Sequence, residues 1–112
     1  MKKIEAVIRP ERLNHVKAAL QEVGVSGMTV MDVHGRGEQK GFEFINRAGK
    51  YRVDLLPKTL IEVVVHDEDV DRVVDAIVRC ARTGEIGDGK VFVTSVERCV
   101  RIRTGEEDDA AL

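Results

Sequence analysis

Ile4-Glu5-Ala6-Val7-Ile8-Arg9-Pro10-Glu11-Arg12-Leu13 aligns without a gap on Ile61-Glu62-Val63-Val64-Val65-His66-Asp67-Glu68-Asp69-Val70. The correspondence continues through Val16/Val73, Ala19/Ala76 and Leu20/Ile77. In each half a β-branched run passes through a proline or acidic helix start into helical spacing. The first helix carries Leu13, Val16, Leu20 and Val23 on one stripe. The second carries Val70, Val73, Val74, Ile77, Val78 and Ala81. That i, i+3, i+4, i+7, i+8, i+11 series suits one apolar face and outweighs valine's mediocre helix propensity. Asp67 is placed to cap the second helix, with Glu68 and Asp69 in the first turn, where the macrodipole favours anions.

Each helix leads through a glycine-containing turn into another strand, at residues 28–34 in the first half and 90 to about 103, bent, in the second. The doubled unit predicts one α+β domain over residues 1–112. Its expected topology is ferredoxin-like, βαββαβ, an antiparallel sheet with both helices on one face. Leu60-Ile61-Glu62-Val63-Val64-Val65 is apolar on both faces, which a half-solvated strand would not be. No third helix remains for the second face, so the pattern predicts self-association with sheets packed toward a shared interior. Between the halves, residues 35–56 are rich in Gly, Lys and Arg and lack a sustained period. A loop this long, between the second and third strands of the repeat, is usually functional or disordered. Thr104-Gly105-Glu106-Glu107-Asp108-Asp109 reads as a solvated acidic tail.

At 112 residues with a formal charge of −2, the chain has no global attraction for nucleic acid or anionic membrane, so any anion site must be local. No apolar run approaches the roughly 20 residues that span a bilayer, and Met1-Lys2-Lys3 opens directly onto a strand. A cytoplasmic protein without membrane insertion is expected. Cys80 and Cys99 form no CxxC pair and read as reduced thiols, and His15, His34 and His66 are too scattered for a metal site. The serines are Ser26 and Ser95 only, and no nucleophile–base–orienter set is visible, so an enzyme is not expected. RNA-recognition modules share the βαββαβ order, but they stack bases on sheet aromatics where this chain offers Leu, Ile and Val. A small ATPase or phosphatase could also use such a scaffold, as could an amino-acid-sensing domain.

Thr83-Gly84-Glu85-Ile86-Gly87-Asp88-Gly89-Lys90 has the composition of a loop that wraps phosphates. Glycine lets backbone N–H groups converge on an anion, and the lysine adds a point charge. Gly84 to Lys90 matches the start of the Walker pattern, but Val91 replaces the Mg²⁺-binding hydroxyl and the segment runs helix–loop–strand. A plain glycine-rich turn would share this composition. Arg101 and Arg103, two apart in a strand, would leave one face about 6.6 Å apart along the backbone. With Lys90 and the glycine loop they could surround a polyphosphate, or simply form a polar strand edge. Gly37-Glu38-Gln39-Lys40-Gly41 opens the long loop, and Lys58 stands where that loop rejoins the sheet, so a small dianion could lie between the loop ends. Tyr51, the sole tyrosine, falls in the polar loop, where an aromatic usually contacts a partner or accepts a modification.

Over essentially its whole length the sequence resembles the PII nitrogen-regulatory signal-transduction family. The strongest shared motifs are Thr83 to Phe92 and Arg101-Ile102-Arg103-Thr104-Gly105-Glu106, supported by Met1 to Ile4, Gly27-Met28-Thr29-Val30, Gly37, Gln39-Lys40-Gly41 and Leu56-Pro57-Lys58. The resemblance implies a homotrimer of ferredoxin-like protomers with nucleotide sites in the clefts between neighbours. It implies a T-loop at about 37–55, a B-loop at about 82–90 and a C-terminal loop and tail at about 98–112. The implied ligands are ATP or ADP and, with Mg²⁺-ATP, 2-oxoglutarate. Gly37, Gly87, Asp88, Gly89, Lys90, Arg101 and Arg103 would hold the phosphate end, and Gly27, Met28, Thr29, Glu62 and Val64 the adenosine. Gln39 would coordinate Mg²⁺, while Gln39, Lys40, Gly41, Lys58 and Gly87 would receive 2-oxoglutarate. Implied partners are ammonium transporters, which would recruit the protein to the inner membrane face through Arg47, and nitrogen-metabolism enzymes and regulators. Tyr51 occupies the position uridylylated in many bacterial members, which implies a uridylyltransferase. Departures from the family cluster in the T-loop, with Glu38 where arginine is frequent and Gly49 in place of the serine phosphorylated in cyanobacterial members.

Overall fold

The two repeated segments become the two central strands of one sheet. β1 (Lys2–Ile8) and β5 (Leu56–Val65) pair antiparallel with Ile4 opposite Val63 and Ala6 opposite Ile61. β2 (Thr29–Gly35) flanks β5 and β6 (Lys90–Ser95) flanks β1, giving the order β2-β5-β1-β6. Every neighbouring pair is antiparallel. α1 (Leu13–Glu22) and α2 (Val70–Ala81) follow the two repeated strands, so the ferredoxin-like α+β expectation holds. The structure, a computed structural model, describes residues 1–37, 42–53 and 55–112.

Strand alternation decides which side is core. Ile4, Ala6 and Ile8 of β1 and Ile61, Val63 and Val65 of β5 are buried against Val16 and Leu20 of α1 and Val73 and Ile77 of α2. Burying each of these Val, Leu and Ile side chains stabilises by about 1.5–3 kcal/mol, which is what holds helices of modest propensity in place. The opposite face stays open. Val30, Met31, Val64, Phe92 and Val93 are exposed there or along the sheet edge, Phe92 by 51%.

Four local expectations need correction. Asp67 does not cap a helix: a 3₁₀ turn (Asp67–Asp69) precedes α2, and no side-chain cap is made. The Asp67 carboxylate instead meets the Met1 amino group at 2.8 Å, a stronger electrostatic partner than helix amides. The interval 35–56 is not without strands, because β3 (Phe42–Asn46) and β4 (Gly49–Val53) form a hairpin that turns at Gly49, φ +120°. β6 ends at Ser95, well short of residue 103. Arg101–Arg103 therefore do not share a strand face. They lie in a turn closed by Gly105, φ +75°, whose N–H donates to the Arg101 carbonyl at 2.8 Å. Finally, the acidic tail is docked: a bridge joins Val100 to Glu107, and 3₁₀ helix Asp108–Ala111 follows.

Candidate functional site

The segment between α2 and β6 is held by its own aspartate. Asp88 Oδ2 accepts the N–H of Thr83 at 2.8 Å and of Gly84 at 2.9 Å, while Oδ1 accepts the Thr83 hydroxyl and Arg9 Nε at 2.9 Å. The Thr83 hydroxyl and then the Arg9 guanidinium, with the amides, hold the Asp88 carboxyl well below the usual carboxylate range. These four hydrogen bonds turn the carboxylate back into its own loop, while Asp88 still lines the cleft beside Gly87 and Gly89. The Asp88 side chain thus shapes the loop, which leaves the residue's own N–H as the group it could offer a ligand.

That folding sorts the loop's amides. Thr83 and Gly84 give theirs to Asp88, and Glu85 gives its own to Thr83 Oγ1 at 3.2 Å. Among the described residues the N–H groups of Gly87, Asp88 and Gly89 have no protein acceptor. Gly87 and Gly89 both sit at positive φ, +101° and +99°, which lets successive amides converge as in anion-binding nests. A Cβ at Gly89 would lie 1.7 Å from the Val7 carbonyl oxygen, so the loop's second half is pressed directly onto β1.

Two cations brace this half. Arg9 Nη2 donates to the Ile86 carbonyl at 2.6 Å and Lys58 Nζ to the Gly87 carbonyl at 2.5 Å. Burial first, and then the neighbouring Arg9 charge, lower the Lys58 pKa from its ordinary value. Beside them a cleft of about 590 Å³ opens on the uncovered sheet face, with Gly37, Lys58, Gly87, Gly89 and Lys90 in its walls. With Asp88, which also lines the cleft, six predicted site residues thus converge. Arg9 joins them without having been predicted; its only sequence signal is a cation ending a strand just before Pro10.

The remaining predicted residues lie elsewhere on the chain. Lys90 pairs with Val7 at one end of β1, whereas Ser95 pairs with Lys2 at the other, about 17 Å away at the usual rise per residue. Arg101 and Arg103 follow beyond Ser95, and the segment that carries them is tied to that far end. Val96 N–H donates to the Met1 carbonyl, and Asp109 pairs with His66 just past β5. Arg101 donates to the carbonyls of Ala111 and Leu112 and pairs with Glu106 at 3.5 Å, while Arg103 is exposed. Thr29 faces Glu62 across β2 and β5, and Glu62 pairs with Glu5 in the middle of β1, with Val64 two residues further toward the Ser95 end. Gly27 is exposed and Met28 packs partly against the core. One chain therefore cannot close Lys90 and the arginine pair around one polyphosphate.

Gln39, Lys40 and Gly41, with Glu38, lie outside the described residues. Arg47 is exposed in the β3–β4 turn, and Tyr51 stands in β4 opposite Phe44. The described residues contain no helix long and apolar enough to cross a membrane.

The family model described as Nitrogen regulatory protein P-II matches residues 1–106. The chain is 58% identical over 112 residues to Nitrogen regulatory protein P-II 1 of Escherichia coli, covering all of both chains. The same identity and coverage hold for Nitrogen regulatory protein P-II of Klebsiella oxytoca. Nitrogen regulatory protein P-II 2 of Methanothermobacter thermautotrophicus is 57% identical, with all of this chain and 97% of the relative covered.

Proposed function

The chain belongs to the nitrogen regulatory protein P-II family, and from that premise we propose that it is a homotrimeric sensor of ATP, ADP and 2-oxoglutarate. The observation that carries the reading is the placement of the glycine loop and the arginine pair at opposite ends of one sheet, with Thr29 and Glu62 midway between them. A neighbour turned about a three-fold axis brings its Thr29, Glu62, Arg101 and Arg103 to this chain's Gly87, Gly89 and Lys90. The open amides of residues 87–89 and the Lys90 ammonium suit phosphate oxygens, and burial of the exposed apolar sheet face supplies the driving force for assembly.

Lys58, beside the same amides, would take a carboxylate of 2-oxoglutarate, and Gln39 would hold the Mg²⁺ that accompanies ATP. That ion would supply the positive charge that lets a triphosphate and the dianionic oxo acid share one cleft, a charge balance ADP would not reproduce. The hairpin carrying Arg47 and Tyr51 then differs between ligand states, and a partner that prefers one shape reads the energy and nitrogen status. Coupling of this type is typically about 1–3 kcal/mol. The partners are an ammonium transporter at the inner membrane face or cytoplasmic enzymes and regulators of nitrogen metabolism, with uridylylation of Tyr51 as a further input. The protein itself performs no catalysis.

Calorimetry with ATP and ADP, with and without 2-oxoglutarate, tests this. Lys90→Ala should weaken both nucleotides by about tenfold or more, the cost of a charge-assisted hydrogen bond of about 1.5–3 kcal/mol. Lys58→Ala should spare ATP and abolish the enhancement by 2-oxoglutarate. Equal loss of both ligands in both variants would refute the assignment.

A further inference from the structure

We propose that Arg9 is a positioning residue of the nucleotide site, acting through Asp88 rather than on the ligand. The inference rests on the nucleotide reading above. Arg9 directly follows β1 and, from there, reaches two points of the B-loop: Asp88 Oδ1 at 2.9 Å and the Ile86 carbonyl at 2.6 Å. Among the described residues it is the one side chain outside the loop that holds Asp88, which in turn collects the amides of Thr83 and Gly84. The guanidinium is about a quarter exposed, as is the carboxylate, so the pair is sheltered enough to hold a fixed geometry.

The consequence is directional. With Arg9 in place, Asp88 stays turned toward the loop's first half, and the carbonyls of Ile86 and Gly87 are drawn to Arg9 and Lys58. A peptide's carbonyl and N–H point oppositely, so fixing the carbonyls at 86 and 87 also fixes the orientation of the next amides, of Gly87 and Asp88, and leaves them free to meet an anion. Arg12 anchors the base of the same device, donating from Nε and Nη2 to the Cys80 carbonyl at the end of α2. Arg12 thus holds the end of the helix that leads into the loop, and Arg9 the loop itself.

The decisive measurement is a double-mutant cycle read by ATP calorimetry. Arg9→Ala should weaken ATP by about tenfold, the scale of one lost charge-assisted hydrogen bond. Asp88→Asn should cost a similar factor, and the double variant no more than the worse single one. Arg9→Lys, which keeps the charge and can reach one of the two acceptors, should recover part of the loss. Additive losses would overturn the proposal by showing that Arg9 acts on the nucleotide itself, and unchanged affinity in Arg9→Ala would overturn it outright. Amide hydrogen exchange across residues 83–89 of the ligand-free protein provides a readout independent of nucleotide. Faster exchange there in Arg9→Ala is expected, and unchanged exchange also defeats the clamp. If the unsubstituted protein gave no heat with ATP, the nucleotide reading would fall, while exchange would still decide whether Arg9 holds the loop.

Discussion

A Cβ built on Gly89 would stand 1.7 Å from the Val7 carbonyl oxygen and 2.8 Å from its carbon, whereas one built on Gly84 would meet nothing within 4 Å. Both glycines sit at positive φ, so alanine strains the backbone at either site. Only at Gly89 must the loop also leave β1. Gly84→Ala should therefore cost about 1 kcal/mol in urea unfolding, and Gly89→Ala clearly more, with nucleotide affinity lost in the second alone. Equal costs would mean that the contact with Val7 does not hold the loop. At this scale the glycines are legible in the sequence, because few other residues tolerate such backbone. The function of Asp88 is not. An aspartate among glycines looks the same whether it faces a ligand or folds back on Thr83. Arg9 escapes for a different reason: its partner is 79 positions away, and no local pattern records so distant a pair.

Among the elements, the repeat makes β1, α1, β5 and α2 legible because burial imposes period on sequence, and these four carry most of the core. Elements that bury little leave weaker marks. The β3–β4 hairpin offers Phe42-Glu43-Phe44 and Tyr51-Arg52-Val53 around a Gly49 turn, a signal obscured within a polar interval. The docking of the acidic tail is invisible in the sequence, because a run of carboxylates has the same composition whether solvated or docked. Here Glu107 pairs with Arg98 at 2.8 Å, the Asp108 carboxylate accepts the Cys99 N–H at 3.2 Å and Asp109 meets His66 at 2.9 Å. The hydrogen bond to Asp109 raises the His66 pKa above its ordinary value. A raised folded-state pKa means that this pair's contribution is full below about pH 6.5, the unpaired histidine value, and fades as pH climbs through the higher docked value. Amide exchange in residues 106–112 should accordingly quicken, after correction for intrinsic rates, as pH rises through that window. Asp109→Asn should flatten the pH dependence, and a tail whose exchange ignores both pH and this substitution would show that the pair does not hold it.

For the whole molecule, the apolar open face is legible in residues 60–65, since a strand apolar on both sides must be covered twice. What the sequence could not convey is that the glycine loop and the arginine pair occupy opposite ends of the sheet. Linear proximity of Lys90 and Arg101 suggests one cluster, but β6 separates them by its full length. This geometry yields a forecast that no single-chain site allows. Let one chain carry Lys90→Ala and another Arg101→Ala with Arg103→Ala. Each alone should assemble and fail to retain ATP, because every interface lacks one half of the site. In a mixed trimer, whichever way the two chains are apportioned, one interface joins an intact Lys90 to an intact arginine pair. Co-expressed, differently tagged chains purified through both tags should regain one ATP site per trimer by equilibrium dialysis. Binding by neither parent nor the mixture would place all three cations in one indivisible site. Undiminished binding by a parent would remove its cations from the site. Restoration in the mixture alone is the outcome that requires neighbours to share the nucleotide.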